Sequence, residues 1–376
     1  MANTFEGNFR DQIVGMVSDL TSAEKMLFSE AIFTESVDVA DIANDHTVIT
    51  GVRHGSLVPI IDDQPDYQSF PFSDPNVCEI PECDSQLNFS TDRWDLGLIE
   101  CKTSICLRSF SDEFLVFFRQ WKMVQTDQPK NEEYMQSAIV EWMKRKFTTN
   151  YLAAQWRVAY FGDKSSNSRF FNGVDGWFTR AEAAGNTIAI AENKGATYAE
   201  QELSGERVYE ILEQMYVRFY NESWMTDKPV EFRMTKKNAM ALALYFNRLS
   251  DKSCCNGLQV IDPQKVAGAP AFDYERLTFH NIPIRVMGVW DEIINKTTEL
   301  NSGWNGREIT NANAARVNPN RILLTYKENL LIGTQETSNL NFFDMWYSRD
   351  DDKVYMKGGG YFGPAMPKKN NVLLAI

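Results

Sequence analysis

Histidine is the scarcest chemistry-bearing residue in this 376-residue chain: only His46, His54 and His280 occur, and none lies in HExxH or another paired ligand spacing. A histidine-based metalloenzyme or hydrolase has little to work with. The GxSxG elbow of serine hydrolases is missing, and so is the GxxxxGKS/T loop whose backbone N–H groups cradle phosphates. Six cysteines, two of them adjacent at Cys254 and Cys255, are too sparse for a secreted disulfide scaffold and read as reduced thiols. There is no run of about 18 apolar residues, and no basic stretch leading into an apolar one at the start, so neither a membrane span nor an export signal is expected. Basic residues are also short, 38 against 51 acidic ones for a net charge of −13, which disfavours diffuse attraction to nucleic acid or anionic lipid. No segment repeats at a fixed period, which excludes solenoids and fibres.

Apolar and aromatic surface is plentiful. Hydrophobic residues make up 43% of the chain, and 9 Trp, 14 Tyr and 24 Phe supply the rigid faces used in cores and subunit contacts. A globular protein with two or three domains is expected from the length.

The N-terminal stretch 11–39 carries Ile13, Met16, Val17 and Leu20, then Met26, Leu27, Ala31 and Ile32, at helical spacing, which predicts one or two short helices. Between 47 and 100 the pattern turns to short β-like runs, 48–52 and 57–61, around a stretch dense in Asp, Pro and Ser from 62 to 85. Pro59, Pro65, Pro71, Pro75 and Pro81 keep it extended. With so few periodic apolar residues it is either a disordered insertion or an arm whose partner is another subunit.

A strand is predicted over 98–107 and an apolar run over 114–118. Asn131 then precedes Glu132 and Glu133, acids suited to a helix start, and a stripe at Met135, Ala138, Ile139, Trp142, Phe147, Tyr151, Ala154 and Val158 runs to Gly162. Such a helix is roughly 45 Å long. Beyond a polar loop, 163–169, and the block 170–178, the spacing predicts a strand over 187–192 and a helix capped by Ser204 with Val208, Ile211, Leu212, Met215 and Phe219 on its inner face. A strand over 230–234, a helix over 236–249, and strands over 277–279 and 282–289 joined at His280-Asn281 follow, making an α/β or α+β unit between 170 and 317. The asparagine-rich stretch 301–320 reads as a linker or surface loop. Two hairpins close the chain, 322–326 with 330–333 and 342–347 with 353–357.

Possible chemistry is thin. The stretch from Gly358 to Gly363 matches GxGxxG, but Pro364 and Pro367 follow and no helix opens there to face a pyrophosphate, so a flexible terminal loop is expected instead. Cys78 with Cys83 and Cys101 with Cys106 form two equally spaced pairs; on a strand the second pair points to opposite faces, and small buried thiols are the default reading over metal ligands. Asp350, Asp351 and Asp352 sit at a hairpin tip, where acids are usually just solvated. Asp62, Asp63, Asp66, Asp74, Glu79, Glu82 and Asp84 lack the rigid, partly dry setting that catalytic carboxylates need. No catalytic residue, cofactor or metal site is expected.

The order of elements and some local sequence resemble the major capsid protein of tailed bacteriophages, the Hong Kong 97-type fold, over nearly the whole chain. The stretch Phe171-Asn172-Gly173-Val174-Asp175-Gly176-Trp177 is similar to the opening of that family's axial domain, and residues 277–284 to the strand pair that closes it. Residues 320–333 resemble the return into the peripheral domain in capsid proteins of phages infecting Bacteroidetes.

The resemblance implies an α+β chain with an N-terminal arm (1–45), an extended β-hairpin loop (46–105) and a peripheral domain with a long spine helix (106–169). An inserted axial α/β domain (170–317) and the C-terminal strands of the peripheral domain (318–376) complete it. It further implies homo-pentamers and homo-hexamers closing into an icosahedral head, with a separate scaffolding protein, a portal and a possible decoration protein as partners. Double-stranded DNA would be enclosed without sequence-specific binding, in a virion assembled in the host cytoplasm, with no membrane partner. An encapsulin-like compartment and an enzyme with an unrecognised site in the axial domain are the alternatives.

In some relatives a lysine of the extended loop bonds covalently to a neighbour's asparagine, but no lysine lies between Lys25 and Lys102. Denaturing electrophoresis of intact particles is therefore expected to show a single monomer band, and a covalent ladder through this loop would contradict the reading.

Overall fold

The computed structural model describes residues 42–58, 93–106, 132–220, 229–250, 277–335, 341–351, 353–369 and 371–376. The helices expected over 11–39, the acidic proline-rich stretch 62–85 and the apolar run 114–118 lie outside them.

In chain order the elements are α1 (Ile42–Asp45), β1 (Thr47–Ile49), β2 (Gly97–Cys106), α2 (Glu132–Phe161), α3 (Trp177–Ala183), β3 (Thr187–Ile188) and α4 (Gly205–Tyr220). They continue with β4 (Val230–Met234), α5 (Lys236–Ser250), β5 (Thr278–Phe279), β6 (Ile282–Val286), α6 (Gly288–Lys296) and β7 (Ile322–Tyr326). The chain ends with β8 (Leu331–Thr334), β9 (Phe342–Ser348), β10 (Lys353–Ala365) and β11 (Leu373–Ala375). The class is α+β, built on two mixed sheets. One runs β1-β8-β10-β2 with β9 also on β10; the other runs β3-β11-β7-β4-β6-β5.

The long helix is present with the expected bounds, but its C-terminal half is not a stripe. From Tyr151 to Phe161 only Ala153 and Arg157 escape burial, and Trp156, Ala159 and Tyr160 are essentially inaccessible. A helix apolar on all sides is one enclosed by its own protein. The five-stranded sheet covers one side, through β2 and β10, and α3 and α6 cover others.

The end of α2 is held by two close backbone approaches. A Cβ on Gly162 would lie 2.3 Å from the Val174 carbonyl oxygen, and one on Gly176 would lie 2.7 Å from the Gly162 nitrogen. Gly176 N–H donates to the Gly162 carbonyl at 2.8 Å, and the Thr179 hydroxyl donates to the same oxygen at 2.7 Å. The motif 171–177 therefore works as a buckle. It also delivers Trp177, fully buried, whose indole N–H donates to the Ala365 carbonyl at 3.0 Å.

Both helices of the middle region follow the expected pattern. Val208, Ile211, Leu212, Met215 and Phe219 of α4 are all buried, and the Ser204 hydroxyl accepts from the Arg207 N–H at the helix start. They pack with Ala239, Leu242 and Phe246 of α5 on one face of the six-stranded sheet. The turn at His280-Asn281 joins β5 to β6 with both residues at positive φ, 48° and 64°, as a tight hairpin turn requires.

Five expectations need correction. The strand expected over 187–192 stops at Ile188, and a 3-10 turn over Ala191–Lys194 takes its place. Segments 322–326 and 330–333 are not a hairpin: β7 pairs with β4 and β11, whereas β8 pairs with β1 and β10 in the other sheet. The cause lies between them, where the buried Asn329 amide donates to Thr325 Oγ1 and to the Lys368 and Asn371 carbonyls, fixing a 3-10 turn that redirects the chain. The glycine run at 358–360 is not a terminal loop but the middle of β10, flanked by β2 on one edge and β9 on the other. Gly358 leaves room for the Phe147 ring of α2 and Gly359 for the Phe342 ring on the opposite face. The strand expected over 282–289 stops at Val286, and α6 replaces its end. The stretch 301–320 is irregular, yet Asn301, Arg316 and Asn320 are buried rather than on a surface linker.

Finally, residues 318–376 are divided between the sheets. Strands β8, β9 and β10 belong to the five-stranded sheet, while β7 and β11 lie inside the six-stranded one beside β3 and β4.

Replacing Gly176 by alanine drives a methyl group into the backbone of α2. The expected cost is about 1–3 kcal/mol, read as a lower denaturation midpoint, and an unchanged midpoint would refute the buckle.

Candidate functional site

The residues that sequence reasoning singled out for chemistry do not converge. Cys101 and Cys106 sit five apart on β2, both half-buried; Cys78, Cys83, Cys254 and Cys255 lie outside the described residues. Among the described residues no three His, Cys, Asp or Glu side chains are grouped to hold a metal ion. Asp351 accepts hydrogen bonds from Tyr355 and Ser348, and Asp352 is not among the described residues. The three histidines have unrelated surroundings. His280 stacks on Tyr216 with centroids 4.5 Å apart, His54 is exposed beside Asp95, and His46 is buried between α2 and the six-stranded sheet.

What the described residues do build is a set of surfaces. The first is the root of the expected extended loop. Leu57 bridges Arg93 in antiparallel fashion, Gly55 N–H donates to the Trp94 carbonyl at 2.8 Å, and Trp94 N–H returns a bond to Ser56 at 2.8 Å. Residues 55–57 and 93–94 thus lie side by side. Trp94, 2% exposed, pins that place with Val52, Val58, Leu96, Leu331 and Ala365 in a small core of its own. The His54 ring accepts from the Leu96 N–H at 3.1 Å, and Lys164 pairs with Asp95 at 2.5 Å. Sequence reasoning passed over Trp94, although a lone tryptophan among polar residues was a usable signal.

The second surface is the face of the five-stranded sheet turned away from α2. Register places Trp346, Tyr355 and Ser104 in one cross-strand row, then Asp344, Lys357 and Lys102, with Tyr361 opposite Leu98 beyond. Trp346 and Tyr355 stack 5.4 Å apart, with the Lys102 ammonium 4.7 Å from the Tyr355 ring. Lys357 pairs with Glu100 at 3.2 Å. Leu98 and Tyr361 stay 46% and 40% exposed. A third apolar surface lies on the outer side of α5, where Met240 and Leu244, one helical turn apart, are both exposed.

No family model matches the sequence, and neither does any curated protein. Solved structures do match. A chain of the satellite phage P4 procapsid, a structure that includes the size determination (Sid) protein, aligns over 98% of this chain and 96% of its own, with TM-score 0.50 and 13% identity. The chain has a phage-capsid fold. Similar at lower TM-scores are the capsid of cyanophage P-SCSP1u (0.44, 12% identity, 91% of this chain and 89% of that one) and a virus-like particle from Pyrococcus furiosus (0.40, 8% identity, 94% and 96%).

Replacing Trp94 by alanine empties the small core beneath the loop root, at a cost of about 3–5 kcal/mol. Amides of Gly55, Ser56 and Trp94 are expected to lose exchange protection while those of α4 keep theirs. Equal protection at the root in both proteins would contradict the pinning role.

Proposed function

We propose that this chain is a structural shell subunit, a major capsid protein that self-assembles through pentamers and hexamers into an icosahedral phage head around double-stranded DNA. The observation that carries the reading is the end-to-end fold correspondence with a procapsid chain, over 98% of this chain. The surfaces described above support it, because heterologous contacts between unlike patches of identical subunits close into rings. The protein is not an enzyme in this reading.

Its partners are further copies of itself, a separate scaffolding protein, a portal and possible decoration proteins. Its location is the virion, assembled in the host cytoplasm, and its net charge of −13 fits a wall that encloses DNA without gripping it. Residues 1–45 act as an arm and 170–317 as the axial part of each ring; of the loop expected over 46–105, β1 and β2 are built into the chain's own five-stranded sheet, so that only the stretch between them is proposed to cross to a neighbour.

The test is the particle state of the expressed protein, with and without its scaffolding partner, by light scattering and negative-stain microscopy. Closed isometric particles are expected. A stable monomer under both conditions would overturn the proposal, and shells carrying one stoichiometric enzyme and no DNA would replace the viral reading by an encapsulin-like compartment.

A further inference from the structure

His46 follows α1 directly and is 3% exposed, in contact with three elements of the body. Its Nδ1 lies 2.9 Å from the Ile42 carbonyl oxygen, which can only accept, so the ring carries a proton on Nδ1. Nε2 is left as an acceptor and faces two donors, the Tyr160 hydroxyl of α2 at 2.8 Å and Arg233 Nη1 of β4 at 2.6 Å. The ring stacks on Trp177 of α3 at 4.6 Å and meets Trp156 edge-on at 5.4 Å. Arg233, wholly buried, also donates to the Tyr160 oxygen and, through Nε, to Glu231 at 2.6 Å. Beside it Asp45 pairs with Arg285 of β6.

We propose that His46 is a positioning residue: while neutral it locks residues 42–46 to the long helix and the six-stranded sheet, and a proton on its ring releases them. The neutral form is built in, since a second ring proton would point Nε2–H at the Arg233 guanidinium and leave its acceptor role unfilled. The surrounding charges reinforce this. Arg233 and Arg285 face the ring and Lys327 adds to them; Glu231 and Asp45, the nearby carboxylates, are each engaged by one of those arginines. Burial, then Arg233, hold the imidazole far below its usual range, at about 2.

The sign follows. A histidine that binds a proton readily only when detached makes the locked state lose ground as pH falls below about 6.5. Exposed carboxylates titrate lower, and burial pushes the Asp291 carboxyl up, so between about pH 6 and 5 the part of the change that belongs to His46 is the part lost in a variant without this imidazole. In the shell reading, which this inference deepens, the point where residues 1–41 join the body would loosen on acidification.

The test is site-resolved hydrogen exchange on the unassembled full-length protein, expressed as protection factors for residues 47–49, so that it does not depend on shells forming. Between pH 6 and 5 the opening equilibrium of this segment is expected to rise about tenfold per pH unit, with α2 still protected. His46→Gln, which keeps an acceptor toward Arg233 and Tyr160 but cannot be protonated in this range, is expected to give a flat profile. A flat wild-type profile would overturn the proposal, as would an equal slope in the glutamine variant or opening only together with α2. If the variant fails to fold, the wild-type slope and the behaviour of α2 decide alone.

Discussion

The constraint on which the rest of the structure depends is that β7 and β11 are buried on both faces. Leu323 and Leu374, paired across the strands, face the core that holds α2, α3 and α6. Ile322, Leu324, Leu373 and Ala375, their neighbours along the same strands, face the core beneath α4 and α5. Each fully buried leucine contributes about 1.5–3 kcal/mol, and here alternate residues of one strand contribute to opposite cores. The two cores therefore cannot be separated without stripping a sheet, and the last residues of the chain are wedged into the middle of the structure.

That arrangement limits where interaction can occur. Chemistry-bearing residues inside the body are consumed by structure: the Arg321 guanidinium lies 4.8 Å from both the Phe161 and Phe178 rings, and burial brings it down to about 10, still a cation at neutral pH. Asn193, Gln201 and Asn320 satisfy one another and the nearby backbone in the same way. Among the described residues, the surface includes exposed apolar side chains such as Leu98, Tyr361, Met240 and Leu244 and the mixed-charge row of Asp344, Lys357 and Lys102.

Much of this was legible in the sequence, and the exceptions share a cause. The helices α2, α4 and α5 and the strand β4 announced themselves because periodicity reports which side of an element is covered. α6 did not, although Trp290, Ile293 and Ile294 with Asp291 in the first turn carry a helical spacing, because the β-like run before it seemed to continue. The false hairpin at 322–333 came from reading proximity in sequence as pairing in space; the buried amide of Asn329 sends the chain elsewhere, and no local pattern reports that. The glycines of β10 looked like a loop because glycine is usually a loop residue, whereas here they make room for rings on both sides. The histidine that matters most, His46, carries no motif at all, and only its tertiary surroundings distinguish it from the exposed His54.

The claim that one shared framework carries both cores is tested most directly by native-state hydrogen exchange along β7 and β11, compared with α2 on one side and α4 on the other. The account predicts that the amides of all four open together, in a single event with the free energy of global unfolding. Exchange of α4 and β7 in a separate, lower-energy step that leaves α2 and β11 protected would mean two independent units, and would contradict it.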